Sequence, residues 1–244
     1  MNKSTGIIIG VAVLLFGGLF TWALVHNQQN STSDYDINTI ISANDDNGNI
    51  ADHVEGDANA KIKIFEYSDY QCSGCASVVS HVGELVEKYK GKVAVVHRTY
   101  VLSYHQNGVA AASAAEAAGI QGYWKKYGDY LFSKQEDWFY SDANQRTEQF
   151  VQYFDEVTEG KGDREKFLSD MSSENVKKKV NFDISLAKRA SAISDIAYTP
   201  AFFLDGEFID WSNGLTEMNK DKKDEEKADF VDYFSKILDE KLKN

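Results

Sequence analysis

Hydrophobic and polar positions divide the chain into three regimes. The first is Gly6 to Val25 (GIIIGVAVLLFGGLFTWALV), an almost wholly apolar run with no charged side chain. As a helix it spans about 30 Å, the thickness of a bilayer hydrocarbon core, so residues 6–25 predict one transmembrane helix. A cleaved signal peptide has a shorter apolar region followed by a small-x-small site, and Ala23-Leu24-Val25-His26 offers a poor one; the run therefore reads as an uncleaved signal anchor. Lys3 precedes it and no Lys or Arg follows until Lys61. That asymmetry predicts residues 1–5 in the cytoplasm and a single-pass location in the cell membrane, with the folded part on the extracytoplasmic side. Residues 26–60 are polar and acidic, show no sustained periodicity, and read as a tether.

Regular patterns begin at Lys61. Ile62 to Tyr67 has the composition of a strand. After a short loop comes Cys72-Ser73-Gly74-Cys75, then Val78, Val79, Val82, Leu85, Val86 and Tyr89 at helical spacing. Gly91 ends that helix, and Val93 to Val96 predicts a second strand parallel to the first. Residues 61–102 thus form a β-α-β unit with the two cysteines where the helix starts. Residues 103–196 read as helices: Gly108 to Ala118, Tyr123 to Ser133, Thr147 to Val157, and a long element from Ser173 to about Asp195. After Thr199-Pro200 the period returns to two. Ala201 to Leu204 and Glu207 to Trp211 flank the hairpin dipeptide Asp205-Gly206, and an amphipathic helix from Glu225 to Leu242 closes residues 197–244. The expected fold is α/β, with an all-helical insertion between its halves and a transmembrane helix before it.

Composition narrows the chemistry. The 244 residues include two Cys and one Pro, and carry a net charge of -12. Two thiols cannot build a disulfide-dense scaffold or a four-thiolate zinc module. The negative charge argues against nucleic acid and anionic lipid surfaces as partners. With 43% hydrophobic residues the chain has ample material for a core.

Cysteines three apart at a helix start lie on one face within bonding distance. The first sits where unpaired N–H groups and the helix dipole favour an anion. Cys72 is therefore the expected nucleophile and Cys75 the more buried resolving thiol, cycling through a mixed disulfide. As a structural staple the pair is poorly placed: closing four residues gains only about 2 kcal/mol in the chain-entropy model. A metal site would need two more ligands, from His81, His97 or His105, and neither a second CxxC nor an HxxxH spacing is present.

On these residues the chain resembles the membrane-anchored DsbA-like thiol-disulfide oxidoreductases of the thioredoxin superfamily, over roughly Asp52 to Leu242. The resemblance is carried by Glu55-Gly56 through Ala60-Lys61, by Phe65-Glu66-Tyr67-Ser68-Asp69-Tyr70-Gln71-Cys72-Ser73-Gly74-Cys75, by Ala110 to Gly122 and by Thr199 to Gly206. It implies a thioredoxin fold with a helical insertion, Cys72 as attacking and Cys75 as resolving cysteine, and a Thr199-Pro200 loop facing them across a cis peptide bond. It also implies that Glu66 relays a proton for Cys75; the alternative is a strand-end glutamate reaching water. Asp69, Tyr70 and Gln71 are expected to shape the rim, and His105 and Trp124 to be surface or packing residues. The active-site dipeptide Ser73-Gly74 departs from the many relatives that carry Pro and then His or an aromatic residue. One favourable charge beside Cys72 is thereby missing, and the first helical turn lacks a Cβ.

The expected function is a disulfide oxidase acting on exported proteins with reduced cysteines. By the same resemblance it is reoxidised by a membrane quinone-linked thiol oxidase, DsbB-like or VKOR-like. No cofactor or metal is implied. A thiol reductase or isomerase, and a non-catalytic tethered binding module, are the alternatives.

Overall fold

The computed structural model of the chain describes residues 32–243. Residues 32–36 belong to a separate small unit, a turn in which Tyr35 N–H donates to the Thr32 carbonyl. The remainder is built on a five-stranded sheet of β1 (His53–Gly56), β2 (Ile62–Ser68), β3 (Val93–Thr99), β4 (Ala201–Leu204) and β5 (Glu207–Ile209), in the order β1-β3-β2-β4-β5. β2 and β3 are parallel, joined by helix α1 (Ser73–Lys88), and their register sets Glu66 opposite His97. β4 runs antiparallel to β2 with Phe202 opposite Glu66. β1 and β5 add antiparallel edges.

The central strands are buried on both faces, which is why Ile64, Phe65 and Tyr67 follow one another without a polar interruption other than Glu66. Val78, Val82 and Leu85 of α1 pack on one face together with Phe230, Phe234 and Leu238 of the last helix, α9 (Phe230–Lys243). Each such side chain contributes about 1.5–3 kcal/mol of transfer free energy.

Six helices separate β3 from β4: α2 (Gly108–Ile120), α3 (Trp124–Ser133), α4 (Gln135–Trp138), α5 (Ala143–Thr158), α6 (Arg164–Met171) and α7 (Glu174–Ser194). α2 is alanine-rich and largely buried, as expected of a mostly apolar helix. Its small side chains leave room for Tyr127, Trp138, Phe150, Phe154 and Phe167, the last two stacked at 4.2 Å. With no proline in the insertion, side-chain caps start α5, α6 and α7: Asp142, Asp163 and Ser173 each accept from a backbone N–H of the first turn.

Three expectations are corrected. From Ile37 onward the expected tether is docked: Ile37 and Ile41 are buried, and Arg98 of β3 donates to the Ile37 and Thr39 carbonyls at 2.7 Å each and to Asp52 at 2.7 Å. A segment held by polar anchors has no period to detect. His53–Gly56 then pairs as an edge strand. At the other end, Trp211 opens helix α8 (Trp211–Asn219), capped by Asp210, instead of closing the second hairpin strand. The last helix starts at Phe230, five residues after the expected Glu225. The third correction is the location: among the described residues no helix is long and apolar enough to cross a membrane. The segment 6–25 that carried the single-pass membrane expectation lies outside the described residues.

Candidate active site

Cys72 is the N-cap of α1, in extended conformation (φ -83°, ψ 122°), and its carbonyl accepts from Ala76 N–H as the helix begins. It is half-buried, whereas Cys75, one turn in, is 1% exposed. Both are free thiols, so the structure is of the dithiol state. The Cys75 thiol donates to Cys72 and is the largest influence holding the Cys72 thiol down at about 5; burial opposes it, and Thr199 and the backbone N–H groups of Cys75 and Gly74 assist. Burial pushes Cys75 well above the usual thiol range, reinforced by the proton it shares with Cys72. The two thiols are therefore unequal, one an anion at neutral pH and the other protonated.

The Thr199–Pro200 peptide is cis. Thr199 O lies 3.3 Å from Cys72 Sγ and accepts from the thiol form. Thr199 is also among the influences that favour the thiolate, and its buried hydroxyl has no hydrogen-bond partner among the described groups. A Cβ on Gly74 would stand 3.4 Å from both Pro200 Cδ and Thr199 O, in ordinary contact. Ser73 is exposed beside them. Cys72, Ser73, Gly74, Cys75, Thr199 and Pro200 thus converge where the interior strand β2 ends and its neighbour β4 begins.

A family model described as thioredoxin matches residues 48–221, most of the chain. The chain belongs to the thioredoxin family. Among curated proteins, this thioredoxin-family chain is 31% identical over 156 residues to a Na(+)/H(+) antiporter NhaA of Herminiimonas arsenicoxydans. That match takes in 64% of the chain but only 22% of the antiporter, so the chain spans about a fifth of that relative's length. Two solved structures share the fold. BdbD from Bacillus subtilis, in its oxidised form, covers 84% of this chain and 98% of its own at TM-score 0.57 and 18% identity. Wolbachia pipientis alpha-DsbA1 covers 78% and 89% at TM-score 0.55 and 23% identity. The thioredoxin fold with a helical insertion is therefore the architecture of this family member.

Glu66 does not reach water at a strand end. It is 4% exposed, and its Oε2 lies 2.9 Å from His97 Nδ1 across the β2–β3 pair. His97 Nε2 in turn faces Glu55 Oε2 at 3.3 Å, and Lys125 approaches the same carboxylate at 3.6 Å. Burial pulls the His97 imidazolium down, but the two carboxylates overcome it and raise its pKa to about 9. Glu66 and His97 line a small cleft between α1, β3 and α3, with Trp124 and Phe132 on its wall. Trp124 stacks on His53 at 4.2 Å, and His53 pairs with Glu116 at 2.8 Å.

Asp69 and Gln71, expected at the rim, are buried. Gln71 Nε2 donates to the Phe139 carbonyl and its Oε1 accepts from Asn107 N–H, while Gln135 Nε2 donates to the carbonyls of Tyr70 and Cys72. The helical insertion thereby holds the loop before the nucleophile. His105, expected as a surface or packing residue, pairs with Asp69 at 2.7 Å. The three histidines considered as metal ligands are engaged separately: His97 with two carboxylates, His105 with Asp69, and His81 at an exposed turn of α1. Of the residues that hold the site, His97 stood out in sequence only as a possible metal ligand, and Asn107 and Gln135 left no signal there.

Proposed function

We propose that this chain is a thiol-disulfide oxidoreductase working as an oxidase. A client thiolate attacks Cys72 Sγ; the Cys72–Cys75 bond breaks and Cys75 leaves with the electron pair, taking up a proton. A second client thiolate then attacks the client sulfur of the mixed disulfide and releases Cys72 as a thiolate. The client loses two electrons, which the Cys72–Cys75 pair gains. A separate thiol oxidase of the quinone-linked class restores the disulfide.

The observation that carries this reading is the split between the two thiols, Cys72 held near 5 and Cys75 pushed well above 9. A stabilised Cys72 thiolate is a good leaving group and favours the reduced pair, which makes the disulfide oxidising. Hydrogen bonds from Cys75 and Thr199 stand in for the charge that the Ser73-Gly74 dipeptide omits. In this scheme the Thr199-Pro200 loop seats the client strand beside Cys72. Glu66 handles the Cys75 proton, with His97 beside it and the cleft giving water access.

Equilibrating the protein against a glutathione series tests the direction; a strongly reducing potential overturns the oxidase reading in favour of a reductase. The variant Cys75→Ala is expected to accumulate mixed disulfides on Cys72. If none form with unfolded client proteins whose cysteines carry glutathione in mixed disulfides, from which glutathione leaves as Cys72 attacks, a binding module without redox activity is the better reading.

A further inference from the structure

We propose that His105 is a positioning residue for thiol-disulfide exchange, acting through Asp69 on the leaving sulfur of Cys75. The proposal rests on the oxidoreductase reading above and adds a residue to its machinery.

Asp69 stands three positions before Cys72 and is 0% exposed. Its main chain serves both thiols directly: its N–H donates to Cys75 Sγ at 3.4 Å, and its carbonyl accepts from Cys72 N–H at 3.0 Å. Its side chain holds that main chain in place. Oδ1 accepts from Gln71 N–H at 2.9 Å, closing an Asx turn, and Oδ2 accepts from Leu102 N–H at 2.9 Å. The third partner, and the only side chain among these three, is His105, whose Nδ1 lies 2.7 Å from Oδ2. A buried carboxylate with three donors has no freedom to rotate, so the amide on the same residue is aimed before any reaction starts.

The surroundings are built to this arrangement. A Cβ at Gly108 would come within 2.9 Å of Asp69 Oδ1 and 2.7 Å of Val101, so only glycine leaves the carboxylate its place. The His105 ring is held edgewise between Tyr104 at 4.5 Å and Phe139 at 6.3 Å. When the Cys72–Cys75 bond breaks, negative charge develops on Cys75 Sγ, a sulfur 1% exposed on which the Asp69 N–H and the Ser68 side chain are the groups that favour the anion. A donor already aimed at that sulfur stabilises the charge without reorganising during the step. His105 touches neither sulfur; it acts by keeping Asp69 in place.

The test compares His105→Ala, which removes the donor, with His105→Asn, whose amide can supply one from a similar position. Both are made in the full chain, oxidised, and followed as reduced glutathione opens the disulfide. His105→Ala is expected to slow opening about fivefold and to shift the glutathione equilibrium toward the disulfide about threefold, the loss of one anchoring hydrogen bond. His105→Asn is expected to recover most of both. If His105→Ala fails to fold, Asp69→Asn is read in its place, with the same slowing expected. Rates and equilibria within twofold of wild type in His105→Ala and Asp69→Asn overturn the proposal, as does equal impairment in His105→Ala and His105→Asn, which would mean lost packing. A wild-type chain that forms no Cys72–Cys75 disulfide overturns the oxidoreductase reading itself; normal cycling with unaffected variants overturns only the role of His105.

Discussion

Cys72 Sγ lies 3.3 Å from the carbonyl oxygen of Thr199, a residue 127 positions further along the chain. The contact joins the two halves of the thioredoxin fold across the whole helical insertion. It exists because β4 pairs with β2, which carries the residue before the cis-proline strand back to the start of α1. The nucleophile is thereby flanked by one helix start and one loop, with Gly74 facing Thr199 and Pro200.

The Cys72 thiol is expected to titrate near pH 5 in the reduced protein. Thiolate ultraviolet absorbance should rise through that pH and be absent in Cys72→Ser. Because the folded value lies below the ordinary thiol value of 9.0, the thiolate contributes stability that is fully present above pH 9 and is lost as pH falls through about 5. Urea midpoints of the reduced protein should therefore drop on acidification more steeply than those of Cys72→Ser.

His97 shows the opposite dependence. Its folded value of about 9 exceeds the ordinary 6.5, so the imidazolium stabilises the fold fully below pH 6.5, and that contribution disappears as pH rises through 9. His97→Leu leaves the Glu66 and Glu55 carboxylates facing a neutral side chain, with a loss of about 3 kcal/mol expected at pH 7 in urea denaturation. Above pH 9 the difference from wild type should narrow, because the wild type has by then lost the same charge. An unchanged difference across that range would contradict a protonated His97.

Arg98 is buried and answers Asp52 and two carbonyls of the docked segment. Burial raises the Asp52 carboxyl, but Lys179 and Arg98 outweigh it and hold its pKa low. Arg98→Leu is expected to cost about 3–5 kcal/mol, the usual result of removing one partner from a buried pair. The Ile41 amide, which donates to Asp52 Oδ2 at 2.9 Å, should exchange with solvent much faster in that variant. Protection of Ile41 equal to wild type would show that the segment is held by other contacts.

Gly74→Ala is expected to stabilise the protein by about 0.5–1 kcal/mol. The added Cβ meets Pro200 and Thr199 at contact distance and removes glycine's entropy cost within a helix. Thermal or urea unfolding reports the gain, and a loss would mean that the Thr199-Pro200 loop cannot accept even a methyl group.

What could be read along the chain was local. The cysteine pair is visible because a β-branched run gives way to helical spacing within a few residues, so Ile64, Cys72 and Val78 place one another. Pro200 is visible because it is the only proline and precedes a hairpin dipeptide. Glu66 stood out as an acid in an apolar strand, yet its partner did not, since His97 meets it only through the parallel register of β2 and β3. The docking of residues 37–52 also escaped notice, because hydrogen bonds from Arg98 and to Asp52 leave no hydrophobic period.

Legible along the chain were the order of the central elements β2, α1, β3 and β4, the α/β class with a helical insertion, and which two thiols can react. Those are properties of neighbouring residues, set by side-chain periodicity and by the helix start that follows Gln71. Tertiary structure decided what surrounds the thiols: Thr199 against Cys72, His97 between two carboxylates, Gln135 on the Cys72 carbonyl and His105 on Asp69. Each of these joins residues distant along the chain, and the strength of a buried charge or hydrogen bond depends on distance and desolvation in the folded state. Neither quantity exists until the sheet has paired and the insertion has closed over it.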